Sequence, residues 1–257
     1  MSEYGSFAYV YDSLMSDVDY KKRTKYLLSL FKKYDKKPTL LLDAACGTGG
    51  FSIEFAKAGC EVIGADMSED MLSVAREKSA EEEVDILYLG QRLEELDLYG
   101  TVDGAICCLD SLNHITDYKM LKAALSKISL FLEEDRLFIF DVNSVYKHRE
   151  ILGDNNFVIE QDDVYCVWQN EFCEKNLTTD ICLDFFVENE DGSYERSSSE
   201  FSERAYTSEE LEEALREASL QIVAVFADLS EDEPSDKTDR LIYVTRKKSG
   251  NTNGKAY

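Results

Sequence analysis

Residues 40–50 run Leu-Leu-Leu-Asp-Ala-Ala-Cys-Gly-Thr-Gly-Gly, and a helical apolar pattern opens directly after them at Phe51. A short apolar run without alternation is the pattern of a strand buried on both faces, as in a parallel sheet. The glycines at its end permit a tight turn and let a ligand approach the main chain closely. Ligands of doubly wound sheets sit beyond the carboxyl ends of the strands. The same stretch therefore predicts a fold and marks a site within it.

The rest of the chain alternates as such a fold requires. Tyr4, Phe7, Ala8, Tyr11 and Leu14–Met15 fall at helical spacing and predict an aromatic-faced first helix. A second helix is expected over Tyr20–Tyr34, ended by Lys36-Lys37-Pro38. Strands are expected at Thr39–Ala45, Glu61–Asp66, Val84–Leu89, Val102–Leu109 and Arg136–Val142, with helices at Phe51–Ala58, Glu69–Lys78 and Asp117–Leu132 between them. This order predicts an α/β fold, a Rossmann-like, mostly parallel sheet with helices on both faces. After the fifth strand the rhythm changes. Phe157–Phe172, Thr178–Glu188 and Tyr194–Tyr206 look like strands joined by short polar turns, an antiparallel β-meander insertion. Thr207 and Glu210 form a capping-box pattern for a helix to about Ser219, and strands at Leu220–Ala227 and Leu241–Arg246 close the chain. The expected organisation is an N-terminal helical lid at 1–37 and a main domain at 38–246. Residues 157–206 form a substrate cap or an oligomer interface within it, and 247–257 a disordered tail.

Composition narrows the function. The 257 residues suit one large domain, and their formal charge of −24 repels phosphate backbones and anionic lipid. No nucleic-acid or membrane partner is expected. No apolar run reaches the length of a membrane span, and the first residues lack a signal-peptide pattern. Seven cysteines without zinc-ribbon or redox spacing point to reduced thiols in a cytoplasmic protein. Two histidines, His114 and His148, make a histidine-rich metal site improbable, and no metal is expected.

The glycine turn fits neither common phosphate-binding pattern. A dinucleotide fingerprint needs a third glycine where Ser52 stands, and a P-loop needs a Lys-Ser/Thr pair that Gly50-Phe51-Ser52 does not supply. Asp43, inside the strand end, would repel a pyrophosphate and favours a ligand offering positive charge there.

Asp43-x-Ala45-x-Gly47-x-Gly49 resembles the first motif of class I S-adenosylmethionine-dependent methyltransferases. The resemblance implies that Asp43 and the turn of Ala45, Gly47 and Gly49 hold the amino-acid end of S-adenosyl-L-methionine. Ala45 stands where the family usually has its first glycine. Asp66, at the end of the second strand and 19 residues beyond Gly47, is placed to accept both ribose hydroxyls; it would equally cap the helix at Glu69. Met67 follows, where the family packs an apolar residue on adenine. Gln91 and Leu93 flank the base position. There Arg92 replaces the family's frequent acid, and a guanidinium accepts no hydrogen bond. The resemblance also implies that Leu109, at the end of the fourth strand, lies against the cofactor.

The segment Asp110-Ser111-Leu112-Asn113-His114 faces the reactive methyl group in this family. Asp110 is a candidate for orienting or deprotonating a nucleophile and His114 a candidate base. Turn chemistry explains Asp110 and Asn113 equally well, and His114 also suits a packing role. Residues 4–15 resemble the amino-terminal segment of a small bacterial subgroup that folds over the cofactor, with Tyr11 near the sulfonium. The implied reaction is methyl transfer to an oxygen or nitrogen of a small-molecule acceptor by a monomer or homodimer. The alternatives are a non-catalytic binder of the same cofactor and, disfavoured by the missing third glycine, a nicotinamide dehydrogenase.

Overall fold

The structure is a computed structural model that describes residues 11–161 and 163–249. The expected first helix lies mostly outside the described residues; its end, 11–14, is helical. Helix α1 (Tyr20–Tyr34) starts at Asp19, whose side chain accepts from the Lys22 N–H. The alternating units follow as β1 (Leu40–Ala44), α2 (Gly50–Lys57), β2 (Glu61–Asp66), α3 (Glu69–Glu81), β3 (Leu87–Gly90), β4 (Gly104–Cys107), α4 (Tyr118–Phe131) and β5 (Leu137–Asn143). Strand β3 starts three residues later than Val84, because this edge strand pairs with β2 only from Leu87 to Gly90.

A six-residue π-helical turn at Lys147–Leu152 leads from β5 into the meander. The meander has four strands rather than the expected three: β6 (Asn156–Gln161), β7 (Val164–Cys173), β8 (Thr178–Glu188) and β9 (Tyr194–Arg204). The long strand expected over Phe157–Phe172 is two strands, β6 pairing antiparallel with β7 so that Gln161 lies opposite Val164; in the sequence an acidic pair at 162–163 separates the two alternating runs. Helix α5 (Ser208–Glu217) opens with the expected capping box between Thr207 and Glu210. Strands β10 (Leu220–Ala227) and β11 (Arg240–Lys247) complete the fold, so Lys247 belongs to the last strand rather than the tail.

The main sheet has the order β10-β11-β5-β4-β1-β2-β3, with β11 antiparallel to both neighbours and the rest parallel. Side chains alternate between its faces. Leu41, Ile106, Ile139 and Val244 face α1 and α2, whereas Leu42, Ala105, Phe138 and Tyr243 face α4 and α5. Within residues 1–37, α1 thus packs as a core helix through Leu27, Leu30 and Phe31, and the segment ahead of it reaches toward the crevice. There Tyr11 and Leu14 pack on a third cluster made by Met71 of α3 and the meander residues Val164, Cys166, Ile181, Leu183 and Phe185. Strand order reverses between β1 and β4, and a crevice opens at their carboxyl ends, where a ligand site belongs.

Candidate active site

The crevice encloses about 480 Å³ and is lined by Tyr11, Asp43, Ala45, Gly47, Asp66, Met67, Gln91, Leu93, Leu109 and His114, among others. Every residue proposed from sequence for the cofactor, except Gly49, therefore lines one cavity. Gly49 and Asp110 do not line it, although their neighbours in sequence, Thr48 and Gly50, Leu109 and Ser111, do.

The half built on β1 and β2 is shaped by backbone. Ala45, Gly47 and Gly49 all have positive φ (60°, 53° and 79°), and Gly49 caps α2 in the left-handed region. A side chain at Gly49 would collide with the Tyr88 hydroxyl. A Cβ at Gly47 would meet nothing within 4 Å, so that glycine faces open space. Asp66 organises the turn: its two carboxylate oxygens accept from Gly47 N (2.8 Å) and Ser68 N (2.9 Å). An ionised carboxylate has about four acceptor positions, so two remain for a ligand. Burial raises the Asp66 pKa against those two hydrogen bonds.

Asp43 is buried and accepts from the Ser52 hydroxyl at 2.5 Å. Burial pushes its pKa up to about 7, opposed by the Ser52 bond. The residue that breaks the dinucleotide pattern thus has a positive role: Ser52 is the donor that the buried acid needs. Asp12 anchors the amino-terminal segment here, accepting from Thr48 Oγ1 (2.7 Å) and Lys78 Nζ (2.6 Å). Tyr11 is half-buried beside Tyr20, and desolvation raises its pKa well above the usual phenol value. At the far end Met67 and Arg92 meet at 3.8 Å, and Arg92 pairs with Glu94. The Gln91 amide bridges to Asp97, accepting from its N–H and donating to its carbonyl, so this side chain braces the loop after β3.

The other half is built from charge. Leu109 and Asp110 both have positive φ, an unusual pair for non-glycine residues. Asp141 of β5 holds that bend by accepting from Leu109 N (2.8 Å) and Asp110 N (2.7 Å). Arg240 of β11 bridges Asp110 (2.5 Å) and Asp141. Burial opposes ionisation of Asp110, but Arg240 above all, then Lys147 and His114, outweigh it and hold its pKa down at about 2. Asn113, buried, donates to the carbonyls of Asn143 and Arg204 and accepts from Asn143 N, bracing the loop to β5 and β9.

His114 stacks on Phe201 of the meander with ring centroids 5.1 Å apart. Its Nε2 lies 3.6 Å from Glu203 Oε1, and the other Glu203 oxygen lies 3.6 Å from His148 Nε2. Glu203 is buried, and burial, then Asp110, raises its pKa to about 7. His148 is fully buried with Nδ1 at 2.8 Å from Thr179 Oγ1, and burial lowers its pKa to about 4.

Ser52, Asp141, Glu203, His148 and Arg240 were not singled out as functional from sequence. Two signals pointed toward them. Asp141 interrupts the apolar run Leu137–Val142 as Asp43 interrupts its own. Glu203 shares strand parity with Ser199 and Phe201, which places an acid on the inward face of β9. Among the described residues Asp110, His114 and Glu203 form a group of metal-ligand types with atoms within 4.8 Å of one another. The bond from Asp110 to Arg240 satisfies that carboxylate with a guanidinium instead.

Comparison with known proteins agrees with this geometry. A methyltransferase-domain family profile matches residues 41–135. A provisionally named methyltransferase of Geobacillus sp. (strain WCH70) is 31% identical over 245 residues, 95% of this chain and 99% of that protein. The crystal structure of an S-adenosylmethionine-dependent methyltransferase from Clostridium acetobutylicum ATCC 824 superposes with a TM-score of 0.85 at 31% identity, covering 96% of this chain and 99% of that one. An amino pentose methyltransferase from Micromonospora echinaspora, solved with S-adenosylmethionine bound, shares the fold at 18% identity and a TM-score of 0.73, covering 94% of this chain and 96% of that one.

Proposed function

The chain belongs to the class I S-adenosylmethionine-dependent methyltransferases, and from that premise we propose that it methylates a nitrogen or oxygen of a neutral or cationic small molecule in the cytoplasm. The crevice fits the cofactor. Its turn presents acids rather than an anion cradle, Gly47 leaves open space, and Asp66 keeps acceptor positions for ribose hydroxyls. Asp43, Ala45, Gly47 and Gly49 would hold the amino-acid end, Asp66 the ribose, and Met67 and Leu93 the base. The bound cofactor supplies an electrophilic methyl group on a positively charged sulfur.

The acceptor class follows from the wall on which His114 opens. The lysine and arginine side chains lining the crevice among the described residues reduce to Arg92, which Glu94 engages at 2.6 Å, while Glu94 and Asp117 line it as acids besides the two assigned to the cofactor. A phosphorylated or carboxylated acceptor would find no partner there, whereas an amine or sugar hydroxyl would. The amino pentose substrate class named for the structural neighbour supports the same reading. The unpaired state of the seven cysteines fits a reducing compartment.

Alignment of acceptor and methyl group carries most of the rate, a term that reaches about 7–11 kcal/mol. His114, which lines the crevice, would take the departing proton, an effect worth about 10²–10⁴-fold. Asp110, ionised and bound by Arg240, positions the loop and is a poor base. The carrying observation is that Asp66 and His114 line one crevice at the β1–β4 switch point. A screen of metabolite pools with methyl-labelled cofactor tests it. Label is expected in amines or hydroxyl compounds without phosphate. Label confined to phosphorylated acceptors would reject the acceptor class.

A further inference from the structure

Glu203 Oε2 and His148 Nε2 are both buried, and neither has a hydrogen-bond partner. They face each other at 3.6 Å, about half an ångström beyond hydrogen-bond length. Unsatisfied buried polar atoms are costly, and two such atoms opposite each other call for an explanation. The chain holds only two histidines, and this one carboxylate lies between them.

We propose that Glu203 is the proton store of the methyl-transfer site, loaded through His114 and held in place by His148. This rests on the methyl-transfer reading of the crevice. When the acceptor nitrogen or oxygen bonds to the methyl carbon, the carbon–sulfur bond breaks, its electron pair stays on sulfur, and the acceptor has one proton to lose. His114 takes that proton on Nδ1 and releases the one on Nε2 to Glu203 Oε1. Glu203 becomes a neutral carboxylic acid, and the proton returns through His114 to solvent as product leaves. His148 stays neutral throughout. With the Thr179 hydroxyl donating to Nδ1, its Nε2 carries the ring hydrogen and serves Glu203 Oε2. Gaps of this kind commonly close only once the reactants are bound. Glu203 and His148 touch no reacting atom and are positioning residues.

The surroundings suit a store rather than a permanent charge. Asp110 from the loop after β4 repels a second negative charge, while His114, Lys147 and the Asn143 amide favour it. Burial works against ionisation, so the carboxyl changes state near pH 7, where one proton is easily gained or lost.

Proton counting by calorimetry tests this without an acceptor. S-adenosylmethionine and S-adenosylhomocysteine are each titrated at pH 7 into the whole protein, in buffers of different ionisation enthalpy. Asp43 and Asp66 meet the same amino-acid and ribose groups in both ligands, so their contribution cancels in the difference. The sulfonium methyl and the charge it brings distinguish the ligands, and that charge favours ionised Glu203. The methylated ligand is expected to release more protons than the other, by about 0.2–0.5 per site. Glu203→Gln should abolish that difference with homocysteine-ligand affinity held within about twofold. His114→Gln, at a partly exposed position, should keep it. No difference in the parent protein, or a difference that survives Glu203→Gln, or one lost in His114→Gln, would overturn the proposal. Failure of both ligands to bind the parent would instead strike at the methyltransferase reading.

Discussion

The two halves of the crevice are made in different ways. The cofactor half draws Asp43, Ala45, Gly47, Gly49, Ser52 and Asp66 from a single β-loop-α-β stretch, and its main devices are backbone N–H groups and positive φ angles. The acceptor half gathers Asp110, Asp141, His148, Glu203 and Arg240 from five separate segments and holds them by buried charge. Local construction tolerates change around it, because these bonds lie within one β-loop-α-β stretch. A charge network does not, since removing one member leaves the others buried and unpaired.

The largest effect should therefore come from the acceptor half. Arg240, Asp110 and Asp141 have side chains 13%, 17% and 5% exposed. Arg240→Leu would strand two carboxylates, and breaking a buried pair from one side costs about 3–5 kcal/mol. Urea unfolding should show a loss of that size, and adding Asp141→Asn should recover part of it. A loss below about 1 kcal/mol would mean that the network behaves like surface ion pairs and that the contrast between the halves is not one of stability.

Asp66→Ala comes next. It removes two acceptors from the loop and those offered to the ribose. Hydrogen bonds to a charged group contribute about 1.5–3 kcal/mol, so cofactor affinity should fall about 10- to 150-fold by calorimetry. Asp66→Asn retains one acceptor oxygen and should lie between. Unchanged affinity in a folded Asp66→Ala protein would refute the ribose assignment and leave the cofactor half held by glycines alone.

Legibility in the sequence follows the same divide. The strand, glycine turn and acids that carry Asp43, Gly47, Gly49 and Asp66 were legible because they succeed one another in a fixed local order, the one that resembles the family's first motif. Helix α5 was equally plain, since a capping box is a contact between residues three apart. The meander was recognisable as antiparallel from its alternation, but its first turn was missed because the polar residues at 162–163 interrupt the alternation without a glycine or proline. Glu203 was invisible as a partner of His114 because the two meet only when β9 lies on the loop after β4. No local pattern encodes that contact. Arg240 is the clearest case: one arginine at a strand start carries no sign that two acids, one from the loop after β4 and one from β5, will enclose it.

The smallest effect probes strain in the cofactor half. Ala45 sits at φ 60°, where the family's usual glycine would be unstrained. The left-handed region costs an L-residue about 1–2 kcal/mol. Glycine gives back about 0.5–1 kcal/mol through the freedom of its unfolded chain. Ala45→Gly should therefore raise stability by at most about 1.5 kcal/mol in urea. Its effect on cofactor affinity is the sharper reading. The Ala45 side chain is a single methyl group on a residue that lines the crevice. If affinity is unchanged, the loop binds through its backbone alone, as the comparison of the two halves requires. A measurable loss of affinity would show that this methyl group packs on the ligand, and the cofactor half would then depend on a side chain where its construction indicates main chain.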